Sequence, residues 1–199
     1  MTARKASDEK AKLILQAASK VLMRQGYART TIKEVAAEAG VSRGLLHYYF
    51  KNKEEMLFMV VRQAVAESLQ MTETILRQSH TPKEMAANIC VAMRHFVERS
   101  PNFINIMIES WALARQNTSA YEELQSIYSL FQQGLAKGLE NAIERGVLKP
   151  STPVSQMATV LTAFVDGLSF ELMVLSGLKE DAEFWQTSQK ALEAMLKSF

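Results

Sequence analysis

The sequence predicts an all-α protein of about nine helices, an N-terminal three-helix module followed by a longer helical domain. Three observations lead there. Apolar residues recur three and four apart through most of the chain, the spacing that lines one side of a helix. Helix-opening pairs, a Ser, Thr, Asn or Asp with Glu three residues later, alternate with helix-closing glycines. No run of β-branched residues alternates with period two for long enough to make a strand.

The elements follow in order. The first helix, from about Asp8 to Gln25, sets Leu13, Ile14, Ala17, Ala18, Val21 and Leu22 on one stripe and stops at Gly26. The second opens at Thr31, with Glu34 completing a capping box, and stops at Gly40. Ser42 caps a short third helix that ends at Phe50, and Asn52 with Glu55 opens a long fourth. Leu57, Val60, Val61, Ala64 and Val65 form the buried side of that fourth helix. Thr81-Pro82-Lys83-Glu84 begins the fifth, with proline at the first helical position. Ser100-Pro101 begins the sixth, and Ser119 with Glu122 the seventh. Gly146, Pro150 and Thr152-Pro153 mark the turn into an eighth helix, about 153–176; Gly177 and Asp181 mark the turn into a ninth, about 181–198. The expected domains are 1–52 and 79–199, joined by helix four at about 53–78.

Composition excludes several classes. An apolar fraction of 48% and a charged fraction of 22% are ordinary for a folded domain. No stretch approaches the roughly eighteen or more apolar residues of a membrane span, and the charged start Met1-Thr2-Ala3-Arg4-Lys5 leads into no apolar signal segment. One cysteine, Cys90, excludes an intrachain disulfide and suits a reducing compartment. A cytoplasmic protein without a membrane partner is expected. The net charge of +2 hides an uneven division: residues 1–53 hold eleven Lys/Arg against four Asp/Glu, and residues 54–199 twelve against seventeen. A basic end on an acidic body fits a polyanion that meets only that end.

Residues 30–50, TTIKEVAAEAGVSRGLLHYYF, read as two short helices joined by Ala39-Gly40-Val41-Ser42. Gly40 takes the left-handed conformation that ends one helix, and Ser42 satisfies the open N–H groups of the next. Ala36, Ala37 and Ala39 allow a close crossing, while Val35, Val41, Leu46 and Phe50 face inward against helix one. This is a helix-turn-helix, whose second helix enters the DNA major groove. Gly44, Leu45, His47 and Tyr48, flanked by Arg43, lie opposite Leu46. Such side chains suit base edges, phosphates and thymine methyls better than bare solvent.

The pattern Thr31-x-x-Glu34-Val35-Ala36-x-x-Ala39-Gly40-Val41-Ser42-x-Gly44-x-Leu46-x-x-Tyr49-Phe50-x-Asn52-Lys53-x-x-Met56-Leu57 resembles the DNA-binding domain of the TetR family of transcriptional regulators. The likeness runs from Asp8 to near Leu69; His47 stands where the family often has tyrosine, a departure that bears on base preference rather than fold. The resemblance implies phosphate contacts for Thr31 and Lys33, and a grip on the DNA backbone for Ser42, Tyr49 and Lys53. It implies base contacts for Arg43, Gly44, Leu45, His47 and Tyr48. Lys51 adds a phosphate contact, and Arg4 and Lys5 a loose basic arm.

For the body, the resemblance implies a ligand-binding and dimerisation domain, and hence a dimeric repressor released from a double-stranded operator by a small apolar or amphipathic effector. The homodimer would form through the last two helices, whose stripes are Met157, Leu161, Phe164, Leu168 and Leu172, then Phe184, Trp185, Leu192 and Leu196. A stripe this wide can serve a core and an interface together. The candidate pocket residues are Phe96, Phe103, Met107, Trp111, Tyr128, Phe131 and Phe164, because Met and aromatic side chains line adaptable cavities. A cationic ligand is the alternative, met by Glu109 beside Trp111 or by Asp166. Marks of catalysis are missing. His47, His80 and His95 share no metal-ligand spacing with Cys90, and Gly167-Leu168-Ser169-Phe170-Glu171 lacks the final glycine of a nucleophile elbow and a strand before it. Without a phosphate-binding loop or dinucleotide fingerprint, the expectation is no enzyme, no catalytic residues, no metal and no cofactor. Cys90, beside Ile89 and Met93, is expected to be a buried thiol.

Overall fold

The computed structural model describes residues 2–100, 102–175 and 177–199, with side chains from Glu9 onward. Among the described residues there are nine α-helices and no strand, as expected: α1 (Thr2–Arg29), α2 (Ile32–Glu38), α3 (Arg43–Tyr49), α4 (Lys53–Gln78), α5 (Pro82–Arg99), α6 (Phe103–Ala114), α7 (Thr118–Glu144), α8 (Val154–Val174) and α9 (Ala182–Ser198). α1 starts at Thr2 rather than near Asp8, so Arg4 and Lys5 belong to a helix; their side chains lie outside the described residues. Its regular course breaks where expected, at Gly26, whose φ of 77° and ψ of 169° are not helical.

Two helix starts differ from the sequence reading. Pro101 lies outside the described residues, and α6 begins at Phe103 with Asn102 before it. Asn102 does not cap its own helix; its side-chain amide donates to the Met23 carbonyl of α1. α7 is opened by Asn117 rather than by Ser119 with Glu122, because the Asn117 Oδ1 accepts from the Ser119 and Ala120 N–H groups at 2.9 and 3.4 Å. An asparagine amide oxygen serves a helix start as well as a serine hydroxyl does.

The helices gather into two compact units, residues 1–64 with 100–127, and residues 65–99 with 128–199. The boundary falls inside α4 and inside α7. Residues 100–127, expected with the second domain, therefore group with the first, and the packing of α6 on α1 explains why. In the first unit Ile14, Ala18, Val21 and Leu22 of α1, Val35 of α2, Leu46 of α3, and Leu57 and Val61 of α4 are all fully buried. Arg62 of α4 is held by Glu123 of α7, 2.6 Å away, and by the Ser126 hydroxyl.

In the second unit one hydrophobic cluster joins α5, α8 and α9 to the ends of α4 and α7, through Leu76, Met85, Leu139, Met157, Leu172, Leu192 and Leu196 among others. α4 lies hard against α7 there. A Cβ on Gly134 would come within 2.3 Å of Leu69 Cδ2, and one on Gly138 within 2.6 Å of Leu76 Cδ1. At the end of α4 the Arg145 guanidinium donates to the carbonyls of Leu76, Arg77 and Ser79 at 2.6, 2.9 and 3.3 Å. It thus satisfies oxygens that a helix end leaves open.

α8 departs from two expectations. It is long and apolar enough to cross a membrane by length and composition, but Met157, Ala158, Leu161, Thr162 and Leu172 are buried in the protein's own core and Asp166 and Glu171 interrupt it. The stripes expected to serve core and interface together are mostly core. Met157, Leu161, Leu172, Trp185, Leu192 and Leu196 are buried, while Phe164, Leu168 and Phe184 pack half-buried against them. The apolar residues left exposed are Val160, Ala163, Gly167 and Val174 on α8 and Ala182, Ala191 and Ala194 on α9. Cys90 is buried as expected, and burial pushes its thiol up to about 11, which keeps it protonated and unreactive at neutral pH.

Candidate nucleic-acid interface

The turn between α2 and α3 is built by local hydrogen bonds. Gly40 has a φ of 64°, in the left-handed region where glycine carries no Cβ penalty. The N–H of Val41 then reaches the Ala36 carbonyl at 3.0 Å and that of Gly40 the Ala37 carbonyl at 3.2 Å, a Schellman closure. Ser42 opens α3 by accepting from the Leu45 N–H at 3.2 Å. Leu46 and Phe50 are buried, so the helix is fixed about its own axis and its outer side is set.

That outer side holds Arg43, Gly44, His47 and Tyr48, all exposed, with Leu45 and Tyr49 half-buried beside them. Tyr48 is 81% exposed, and its ring meets that of Tyr49 edge-on at 5.4 Å. Nothing lies within 4 Å of a Cβ placed on Gly44, so the backbone of α3 is open to close approach there. Lys33 and Lys51 are exposed on either side. Lys33, Arg43 and Lys51 thus add exposed positive charge to the same module that exposes Tyr48.

Three implied contacts are already engaged within the protein. The Thr31 hydroxyl accepts from the Glu34 N–H at 3.3 Å and donates to the Glu34 carboxylate at 2.8 Å. A hydroxyl has one hydrogen to give, so Thr31 has none left for a phosphate while Glu34 holds it. The Ser42 hydroxyl accepts from the Leu45 N–H, a bond that uses its oxygen and not its hydrogen. Lys53 donates to the Ala28 carbonyl at 3.2 Å and sits 4.2 Å from the centroid of the Tyr27 ring, bracing the start of α4 against the end of α1.

Of the two acids that fix this face, the sequence reading names Glu34, as the capping-box partner of Thr31, and passes over Glu38. Glu34 takes the Thr31 N–H and the Gln25 amide besides the Thr31 hydroxyl, and the Thr31 hydroxyl, first among these bonds, holds its carboxyl below the ordinary range. Glu38 is met from α1 by Lys20 at 2.5 Å and Arg24 at 3.2 Å, which lowers its carboxyl likewise, Lys20 most. The basic character of α1 thus serves partly to clamp α2. Spacing within one helix gives no sign of that, because the pairs are 14 or more residues apart.

The candidate effector residues fall in both units. Phe103, Met107 and Trp111 share one face of α6 in the first, and all are half-buried. Phe96, Tyr128, Phe131 and Phe164 lie in the second, also half-buried. The Tyr128 hydroxyl donates to the Asp166 carboxylate at 3.2 Å, whereas Glu109 lies in the first unit, near enough to Tyr27 to raise that phenol alongside burial and Glu54. Among the described residues no cluster of three or more His, Cys, Asp or Glu is placed to hold a metal ion.

Comparison with known proteins accounts for nearly the whole chain. The family described as bacterial regulatory proteins, tetR family, matches residues 14–60, and the family described as BetI-type transcriptional repressor, C-terminal, matches residues 82–197. The HTH-type transcriptional regulator YhgD of Bacillus subtilis is 30% identical over 160 residues, covering 80% of this chain and 79% of its own. The fold also matches solved structures. FadR of Bacillus subtilis in complex with stearoyl-CoA has a TM-score of 0.68 at 20% identity, with 94% of this chain and 98% of that one covered. A transcriptional regulator of Saccharomonospora viridis in complex with choline has a TM-score of 0.68 at 19% identity, with 94% and 95% covered.

Proposed function

The chain belongs to the TetR family of bacterial regulatory proteins, and on that premise we propose that it is a dimeric repressor whose α3 reads an operator and which a small effector releases. The observation that carries the reading is the two-sided α3, with Leu46 and Phe50 anchored and Arg43, Gly44, His47 and Tyr48 turned outward. In this account His47 and Tyr48 select bases, with Leu45 at thymine methyls, while Lys33, Lys51 and Tyr49 hold phosphates. Ser42 keeps a hydrogen for a phosphate. Thr31 and Lys53 act through the geometry of α2 and α4, and reach DNA only by giving up their present partners. The compartment is the cytoplasm, where the operator is.

By function the division is then a reader, 1–52, and a sensor, 79–199, joined by α4, although residues 100–127 pack with the first compact unit. A second copy docks on the exposed small residues of α8 and α9: Val160, Ala163, Gly167 and Val174 recur at helical spacing, and Ala191 and Ala194 flank them. Such residues let helices approach closely without removing anything from the core. Two recognition helices about one DNA turn apart, near 34–36 Å, then require a nearly palindromic site. The effector is apolar or amphipathic, and its contacts are sought among Phe96, Tyr128, Phe131 and Phe164 of the second unit; the other candidates, Phe103, Met107 and Trp111, belong to the first. Solved complexes of this fold with stearoyl-CoA and with choline favour a sensor of small molecules.

Sedimentation of the chain with a duplex enriched from random sequence tests the assembly. Two chains, or an even number, are expected per site. Ala163→Glu, an exposed substitution, should give folded monomers that bind the same duplex far more weakly. A monomer that binds the site as well as the parent does would contradict the reading.

A further inference from the structure

One half-buried carboxylate on α8 narrows the class of effector. Asp166 faces α7, where the Tyr128 hydroxyl donates to its Oδ2 at 3.2 Å. Among the described residues, no Lys, Arg or His lies within ion-pair distance of it. Burial pushes its carboxyl above the ordinary range, and the Tyr128 bond offsets that only in part. A carboxylate taken partly out of water with one neutral hydrogen bond is an unfavourable arrangement. Its helix neighbours do not relieve it. The Thr162 hydroxyl is spent on the Ala158 carbonyl and the Ser169 hydroxyl on that of Val165, both at 2.8 Å.

Each partner of this bond has an aromatic neighbour on its own helix. Phe131 lies one turn beyond Tyr128 on α7 and Phe170 one turn beyond Asp166 on α8, and both are half-buried. A hard metal ion needs several oxygen ligands, which a single carboxylate and a phenol do not supply. A diffuse organic cation needs one negative charge and the faces of aromatic rings. The same ion would find its apolar part matched by the rings and by Met173, a turn further along α8.

We propose that Asp166, Tyr128, Phe131 and Phe170 form a head-group site for a lipophilic organic cation, the charged end of an amphipathic effector. This rests on the reading that a small ligand releases the protein from DNA, and it is tested without DNA so that the two can fail separately. Benzyltrimethylammonium and its uncharged carbon isostere, neopentylbenzene, are titrated into the full chain by calorimetry. The cation should bind saturably and at least about tenfold more tightly than the isostere, the margin expected of a desolvated charge with cation–π contacts. Asp166→Asn should remove that preference while leaving isostere binding, dimer mass and affinity for the selected duplex unchanged. Tyr128→Phe should weaken the cation several-fold, and it serves as the second variant if Asp166→Asn does not fold. Equal binding of the two probes, binding of neither, or cation binding indifferent to both substitutions would overturn the site. Loss of the dimer in Asp166→Asn would overturn it too, by showing that the carboxylate meets a cation of a second copy. Any of these results, with duplex binding and release by another ligand intact, leaves the repressor reading standing.

Discussion

The α2–α3 turn and the seat of α4 on α7 both bring helices close together, and they are held by opposite means. In the turn every fastening is local: Thr31 with Glu34, Ser42 with Leu45, and Val41 with Ala36. In the seat the fastenings are remote, since Arg145 reaches carbonyls 66 to 69 residues away and Gly134 and Gly138 take in Leu69 and Leu76. The turn is defined by capping chemistry that neighbouring residues carry out alone. The seat exists only once two helices have met. A reading surface fastened by local bonds is defined by its own residues, without help from the rest of the chain.

The sharpest way to break this comparison lies within α3. Leu46 and Tyr48 are two residues apart, one fully buried and the other 81% exposed. Leu46→Ala should cost about 2–5 kcal/mol of stability by leaving a cavity, read as a shift in a denaturant midpoint. Tyr48→Ala should stay within about 0.5 kcal/mol, as exposed substitutions do, and its loss should fall on DNA binding. A comparable loss of stability at Tyr48 would make it a structural residue.

Glycines separate the two regions next. In a helix interior, Gly→Ala gains up to about 1 kcal/mol of propensity where space allows. Gly44 has open space, so Gly44→Ala should leave stability equal or slightly higher, the gain being reduced near a helix start, and should weaken operator binding by holding the backbone off the bases. At Gly134 a Cβ meets three atoms of Leu69 at 3.0 Å or less, and displacing them costs about 1–3 kcal/mol. Strain outweighs propensity, and Gly134→Ala should lower the melting temperature. A stabilised Gly134→Ala would show that α4 is not seated as described.

The smallest effect concerns the clamp of α1 on α2. Because Lys20 and Arg24 lower the Glu38 carboxyl in the folded state, its contribution is present above the unfolded value near 4.3 and fades as the pH falls through the folded one. Parent and Glu38→Gln should therefore differ slightly in stability at pH 7 and converge as the pH falls through the lowered value of the folded carboxyl; the pair is exposed, so the gap is small. A gap that does not change with pH would point to packing rather than charge.

The same contrast explains what the sequence discloses. Eight of the nine helices could be placed to within a few residues, and the α2–α3 turn residue by residue, because caps and glycine closures announce themselves within four or five positions. α1 extends past its expected start because its first turns hold no stop signal. The grouping of α6 with the first unit was not legible, since it turns on Asn102 reaching an α1 carbonyl 79 residues away. The Glu38 clamp, the Arg145 bonds and the true exposed face of α8 were hidden for the same reason. A wide apolar stripe says that a helix is buried; it does not say which residues face the protein's own core and which would face a second copy.

Selection of duplexes from random sequence tests the central claim most directly, carried out in parallel for the parent chain, Lys51→Gln and a Tyr48 variant such as Tyr48→Ala. The account predicts that the parent enriches a nearly palindromic motif. Lys51→Gln should enrich the same motif more weakly, with the salt slope lowered by about one. The Tyr48 variant should lose preference at specific base pairs, by about 1–3 kcal/mol each. Failure of the parent to enrich any motif, or the same motif at the same strength from the Tyr48 variant, would contradict the assignment of α3 as the reading helix.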